Sequence, residues 1–211
     1  MNEHPEPGDS PEAGGPEKSV TTGLVAPDDQ TKRDVTQLRM SRIVQLAHQI
    51  GHRNFPSGDR AALRRLEPEA PDAPAFWRLL LEAVPDEERR GEEREGRWAV
   101  IMNGLALMSA PGVSAHRRDS AEHRTRVGTV LADVGYSDRR LTRLLRAGWP
   151  ELIPQVRRLA RLLATRGRAI DWARFGLLIL AVGEESREHQ RRAIARDYFG
   201  QLVRQQSTRN E

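Results

Sequence analysis

The chain of 211 residues contains no cysteine. That excludes a disulfide framework and any thiolate metal site, and it fits a reducing, cytoplasmic setting. Lysine is almost missing too: Lys18 and Lys32 are the only two, so arginine supplies all the rest of the 34 basic residues. Aromatic residues make up 5% and hydrophobic residues 37%, which allows a modest core with polar chain beside it. The longest apolar run, Phe175–Gly183, is less than half of the roughly 20 residues that span a bilayer, so no membrane partner is expected. The first residues carry acids and prolines in place of a basic stretch followed by an apolar one, which argues against a secretory signal.

Catalytic and cofactor motifs are missing as well. Gly14-Gly15-Pro16-Glu17-Lys18-Ser19 has the lysine and serine of a phosphate loop without its spacing or a preceding strand. No segment alternates with period two over a useful length, so a dinucleotide fold is excluded, and there is no Gly-x-Ser-x-Gly elbow. His48 and His52 are four apart, but Gly51 ends the helix between them and no carboxylate completes a metal site. His116 and His123 flank a charged loop. Glu184, Glu185 and Glu188 read as acids at a helix start, where they stabilise the dipole. Trp98, Trp149, Trp172 and Tyr198 lie among apolar neighbours and read as core. The expectation is a protein without catalytic residues, cofactor or metal.

What is present is charge, unevenly spread. Residues 1–31 carry seven acids and one lysine; residues 32–115 nearly balance, with thirteen bases and twelve acids; residues 116–211 carry twenty bases and eleven acids. The first segment is rich in proline and glycine and reads as a disordered acidic tail. The remainder, 32–206, reads as helices: apolar residues recur at helical spacing from Val35 and Leu38 through Ile43, Leu46 and Ile50, and similar stripes follow to the C-terminus. Pro68, Pro71, Pro74 and Pro111 mark breaks. The expected fold is all-α, a bundle of about eight or nine helices, with sub-bundles near 32–112 and 118–206 as one way to divide it.

Helical geometry decides where the arginines point. At about 100° per residue, Leu152, Val156, Leu159 and Leu163 share one face, and Arg157, Arg158 and Arg161 lie opposite. In the preceding helix Leu141, Leu144 and Leu145 form the inner stripe, while Arg139, Arg143 and Arg146 recur at i, i+4, i+7. Between Arg139 and Arg168, Glu151 is the only acid among nine arginines. A solvated helix face ordinarily mixes signs to gain i, i+4 pairs. This pattern points to a surface for polyanions. A second reading stays open: Leu131–Arg139, with its Gly135-Tyr136 turn, resembles the second helix-turn-helix of AraC-type transcriptional regulators, which would send Arg139, Arg140 and Arg143 into a major groove.

A set of landmarks in fixed order resembles the CasB family, the small subunit of the type I-E CRISPR complex Cascade. They are Ala61-Ala62-Leu63-Arg64-Arg65, Pro74-Ala75-Phe76-Trp77-Arg78-Leu79, Gly128 ahead of Leu131, Asp138-Arg139-Arg140 through Arg146, Val156-Arg157-Arg158-Leu159, Asp171-Trp172 and Arg196-Asp197-Tyr198-Phe199. The acidic tail is additional, and Val127-Gly128-Thr129 replaces a more usual Ser-Leu-Gly entry. The resemblance implies a non-enzymatic helical protein, present as two copies beside the other Cascade subunits and crRNA. It would hold the displaced DNA strand or the duplex backbone and steady the R-loop without sequence preference. Arg64, Arg65, Arg139, Arg140, Arg146, Arg157 and Arg158 match family motif positions; Arg143 and Arg161 are added by helical geometry alone.

Overall fold

Helix formation follows the punctuation in the sequence. In the computed structural model, which describes residues 29–117 and 124–210, ten helices occur among the described residues. They are α1 (Asp29–Gly51), α2 (Ser57–Arg65), α3 (Pro74–Ala83), α4 (Asp86–Arg89), α5 (Glu92–Met108), α6 (Val127–Asp133), α7 (Asp138–Arg146), α8 (Leu152–Thr165), α9 (Trp172–Leu180) and α10 (Glu184–Arg209). Pro74 opens α3, where its missing N–H costs nothing. Asp171 caps α9 by accepting a hydrogen bond from the Arg174 N–H at 3.1 Å. Among the described residues, β pairing is limited to isolated bridges, Ala110 with Val113 and His116 with Ile170.

The all-α expectation holds, with three differences in detail. The charged stretch Asp86–Glu95 divides into α4 and the start of α5, which raises the helix count above eight or nine. Helix α1 begins at Asp29, inside the segment assigned to the tail; the rest of that tail, residues 1–28, lies outside the described residues. Leu38, placed on the inner stripe of α1, is 52% exposed, because the buried stripe of that helix starts only at Ile43.

Helix α5 is the axis of the molecule. Every position from Gly96 to Ala106 is buried, and α1, α2, α8 and α9 pack around it. A helix buried on all sides shows no amphipathic stripe, so its neighbours must close around it from both halves of the sequence. One core cluster accordingly runs from Ile43 in α1 through Phe76, Trp98, Leu144, Leu163 and Trp172 to Tyr198 in α10.

Helix ends in this core are closed by long polar side chains. A helix C-terminus leaves four carbonyls without intrahelical donors, and a guanidinium offers five N–H groups. Buried Arg60 donates to the Ile50 carbonyl at 3.0 Å and the His52 carbonyl at 2.9 Å, closing α1. Buried Asn103 donates to the carbonyls of Leu63 and Arg64 at the end of α2, at 2.9 and 3.1 Å. Buried Arg97 reaches the carbonyls of Ile179 and Ala181 at the end of α9, pairs with Glu93 at 2.6 Å, and lies over the Trp149 ring.

The short helix α6 lies along α10. Their approach depends on Gly128: a Cβ there would sit 2.3 Å from the Ile194 carbonyl oxygen, a backbone atom that cannot swing aside. Gly135, at φ +69°, then ends α6. Its N–H donates to the Ala132 carbonyl and the Tyr136 N–H to the Leu131 carbonyl, a Schellman closure that needs a left-handed residue at this point. The chain turns there and enters α7.

Candidate nucleic-acid interface

The arginine face is built on α7 and α8. Leu141 and Leu144 anchor α7, and Leu152, Val156, Leu159 and Leu163 anchor α8; all six are buried. With those positions inward, Arg139, Arg140, Arg143 and Arg146 on α7 and Arg158 and Arg161 on α8 are exposed, and none of the six forms an ion pair with a described residue.

Helix α7 is held at its N-terminus by α10. The buried Tyr198 hydroxyl donates toward the Tyr136 carbonyl and toward Asp138 Oδ1, the latter at 2.8 Å. Burial and the adjacent Asp138 carboxylate push the Tyr198 phenol up to about 12. This contact fixes the first turn of α7 and occupies Asp138, the acid nearest in sequence to the arginines. Asp133, at the end of α6, is likewise engaged by Arg168 at 3.0 Å and by Gln201 at 2.8 Å.

Tyr136, at the turn from α6 into α7, feels charge from both α7 and α8. Its phenol is buried, which raises its pKa; the guanidiniums of Arg140, Arg143 and Arg158 pull in the opposite direction without overcoming burial. Two arginines of α7 and one of α8 thus all act to lower the pKa of this phenol. Such a concentration of guanidinium groups suits phosphate, which accepts from their planar forks.

Two of the nine candidate arginines are committed elsewhere. Arg64 donates through Nε to the Ala106 carbonyl at 2.8 Å and through Nη2 to the Ser109 carbonyl at 2.6 Å, closing the end of α5. Arg157 donates to the Leu66 carbonyl just after α2, to Asn103 Oδ1 at 3.4 Å, and to Glu67 at 3.2 Å. Both tie helices together as Arg60 and Arg97 do. Arg65 is different: it is exposed and forms no ion pair with a described residue, and the Arg157–Leu66 contact holds its end of α2 against α8. Arg166, absent from the candidate set, is exposed just past the last turn of α8, where helical spacing no longer predicts direction. The nearby arginine-to-acid imbalance was the one signal that included it.

Trp98, Trp172 and Tyr198 are buried in the core and Trp149 is packed against it. Glu184 and Glu188 pair with Arg191 and Arg192 at the start of α10. His123 lies outside the described residues. Among the described residues no cluster of three His, Asp or Glu side chains is arranged to hold a metal ion, and no helix is long and apolar enough to cross a membrane.

Comparison with known proteins gives concordant matches. The family model described as CRISPR-associated protein Cse2 matches residues 59–199. A chain in the crystal structure of E. coli Cascade bound to a PAM-containing dsDNA target superposes with a TM-score of 0.54 at 22% identity, covering 75% of this chain and 96% of that one. The crystal structure of M. ruber CasB superposes with a TM-score of 0.60 at 19% identity, covering 81% of this chain and 97% of that one. No curated protein matches the chain.

Proposed function

The chain belongs to the CRISPR-associated Cse2 family, and we propose from that premise that it is a non-catalytic subunit of a crRNA-guided Cascade complex. Its partners are the other Cascade subunits, crRNA, target DNA and a second copy of itself. Its task is to hold nucleic-acid backbone, the displaced strand or the duplex, and so stabilise the R-loop. The observation that carries this reading is the face of six exposed arginines on α7 and α8, three of them acting on Tyr136. Guide pairing supplies sequence recognition in such complexes, so a subunit of this kind needs charge and shape and no contacts to base edges. The E. coli chain it resembles belongs to a Cascade bound to a dsDNA target, which supports the assignment.

Co-expression with the remaining Cascade proteins and crRNA tests the proposal. Co-purification of two copies per complex, with R-loops that collapse when Arg140, Arg143, Arg158 and Arg161 are replaced by Ala, is the expected result. A chain that never joins the complex, or that protects one particular duplex sequence, overturns it; the second outcome would favour the helix-turn-helix reading of α6–α7.

A further inference from the structure

Away from α7 and α8, a cleft of about 380 Å³ opens between α1, α9 and α10 and the entry to α6. Its floor is apolar: Met40 from α1, Phe175 and Leu177 from α9, Val127 and Ile194. Its rim is cationic and amidic: Arg174, Arg196, Arg126, Gln37 and Gln190. Among the described residues Asp197 is the one acid on the lining, and it is engaged by Arg126 at 3.0 Å. Arg174 keeps a 43% exposed side chain beside its partner Asp171, and Arg196 is exposed and forms no ion pair with a described residue. A hollow lined by Lys32 and Arg33 adjoins the cleft and shares Thr36 and Gln37 with it.

We propose that this cleft receives one splayed-out nucleotide of a single-stranded nucleic acid, the base on the half-buried Met40 and Leu177 of the floor and the flanking phosphates on Arg174, Arg196 and Lys32–Arg33. The volume lies within the roughly 300–1,000 Å³ of small-ligand clefts. An apolar floor alone would suit many occupants. The ring of cations selects an anionic one, and the glutamine amides, each with donor and acceptor, complement base edges. A strand whose bases unstack onto an apolar surface while its backbone follows positive charge meets all three features. This site is separate from the α7–α8 face, though it rests on the reading that the chain binds nucleic acid.

The test uses the full chain with an oligothymidylate and, in a parallel arm, an oligouridylate, each carrying one photoreactive 4-thio base. Cross-links to peptides of α1, α9 or α10 are expected, in whichever arm matches the natural strand. Ala193→Phe, which fills the cleft without altering charge, should abolish them and weaken binding about tenfold, with the salt slope unchanged. Gln190→Leu guards against misfolding of that variant and should weaken binding in the same direction. Arg158→Ala should lower the salt slope and leave the cleft cross-links intact. Binding with a steep salt slope, cross-links confined to α7 and α8, and an Ala193→Phe variant that binds like the parent would overturn the cleft alone. Failure to bind any strand overturns the cleft and the proposed function together.

Discussion

Arg157 and Arg158 are neighbours in sequence with opposite expected roles. Replacing Arg157 by Ala removes charged donors from the Leu66 carbonyl and from Asn103 Oδ1, and it breaks the pair with exposed Glu67. The exposed pair contributes at most about 1 kcal/mol. The bond to the Leu66 carbonyl, from a charged donor, contributes about 1.5–3 kcal/mol and the long 3.4 Å contact to Asn103 adds little, so the loss is about 2–4 kcal/mol in all. At about 2–4 °C per kcal/mol for a chain of this size, the midpoint of thermal unfolding should fall by about 4–16 °C. Arg158 is exposed and forms no ion pair with a described residue, so Arg158→Ala should shift stability by no more than about 0.5 kcal/mol. Its effect belongs in binding. Six exposed arginines on single-stranded DNA give a log–log salt slope near −4, roughly a 300-fold loss of affinity between about 50 and 200 mM salt. Arg158→Ala should reduce that slope by about 0.7. Thermal denaturation and salt titration of the two variants decide the matter. An Arg157→Ala protein that melts like the parent and shows a reduced slope, beside an Arg158→Ala protein that melts early, would refute the assignment.

Other perturbations test the supports of the face. The chain has two tyrosines and both phenols are raised, so their ionisation in a near-ultraviolet pH titration should lag behind that of the denatured protein. A raised phenol keeps its proton in the native state after the unfolded chain has lost it. Stability should therefore be full below about pH 10 and decline as pH climbs toward the Tyr198 value of about 12; Tyr198→Phe should remove much of that decline. Arg140→Ala should push Tyr136 higher still, and a titration that moves the other way would separate Arg140 from the phenol. Gly128→Ala should cost about 1–3 kcal/mol or more in denaturant unfolding, since Ile194 and α10 must retreat from the new methyl. A variant as stable as the parent would show that α6 and α10 are looser than their contact indicates.

Periodicity read the inner faces of α7 and α8 correctly because those helices have one buried side; every leucine assigned inward on them is buried except the half-buried Leu145. The Schellman turn at Gly135 and the cap at Asp171 were legible for a similar reason, since both depend on residues close together in the chain. Leu38 misled because an apolar residue at helical spacing has no partner until another element arrives to cover it. Arg64 and Arg157 have contacts that periodicity could not show. They look like solvated arginines in a basic run, but their partners, Ala106, Ser109, Leu66 and Asn103, lie about 40 to 90 residues away in sequence.

Sequence alone determined the helical class, the absence of cysteine chemistry, the basic second half and the arginine side of α7 and α8, because each follows from composition or from contacts within a turn or two. Tertiary structure decided which arginines remain available. A guanidinium is equally suited to a phosphate and to the open carbonyls of a helix end. Which of the two it meets depends on where α5, α2 and α9 stop relative to it, and that is a property of the packed chain.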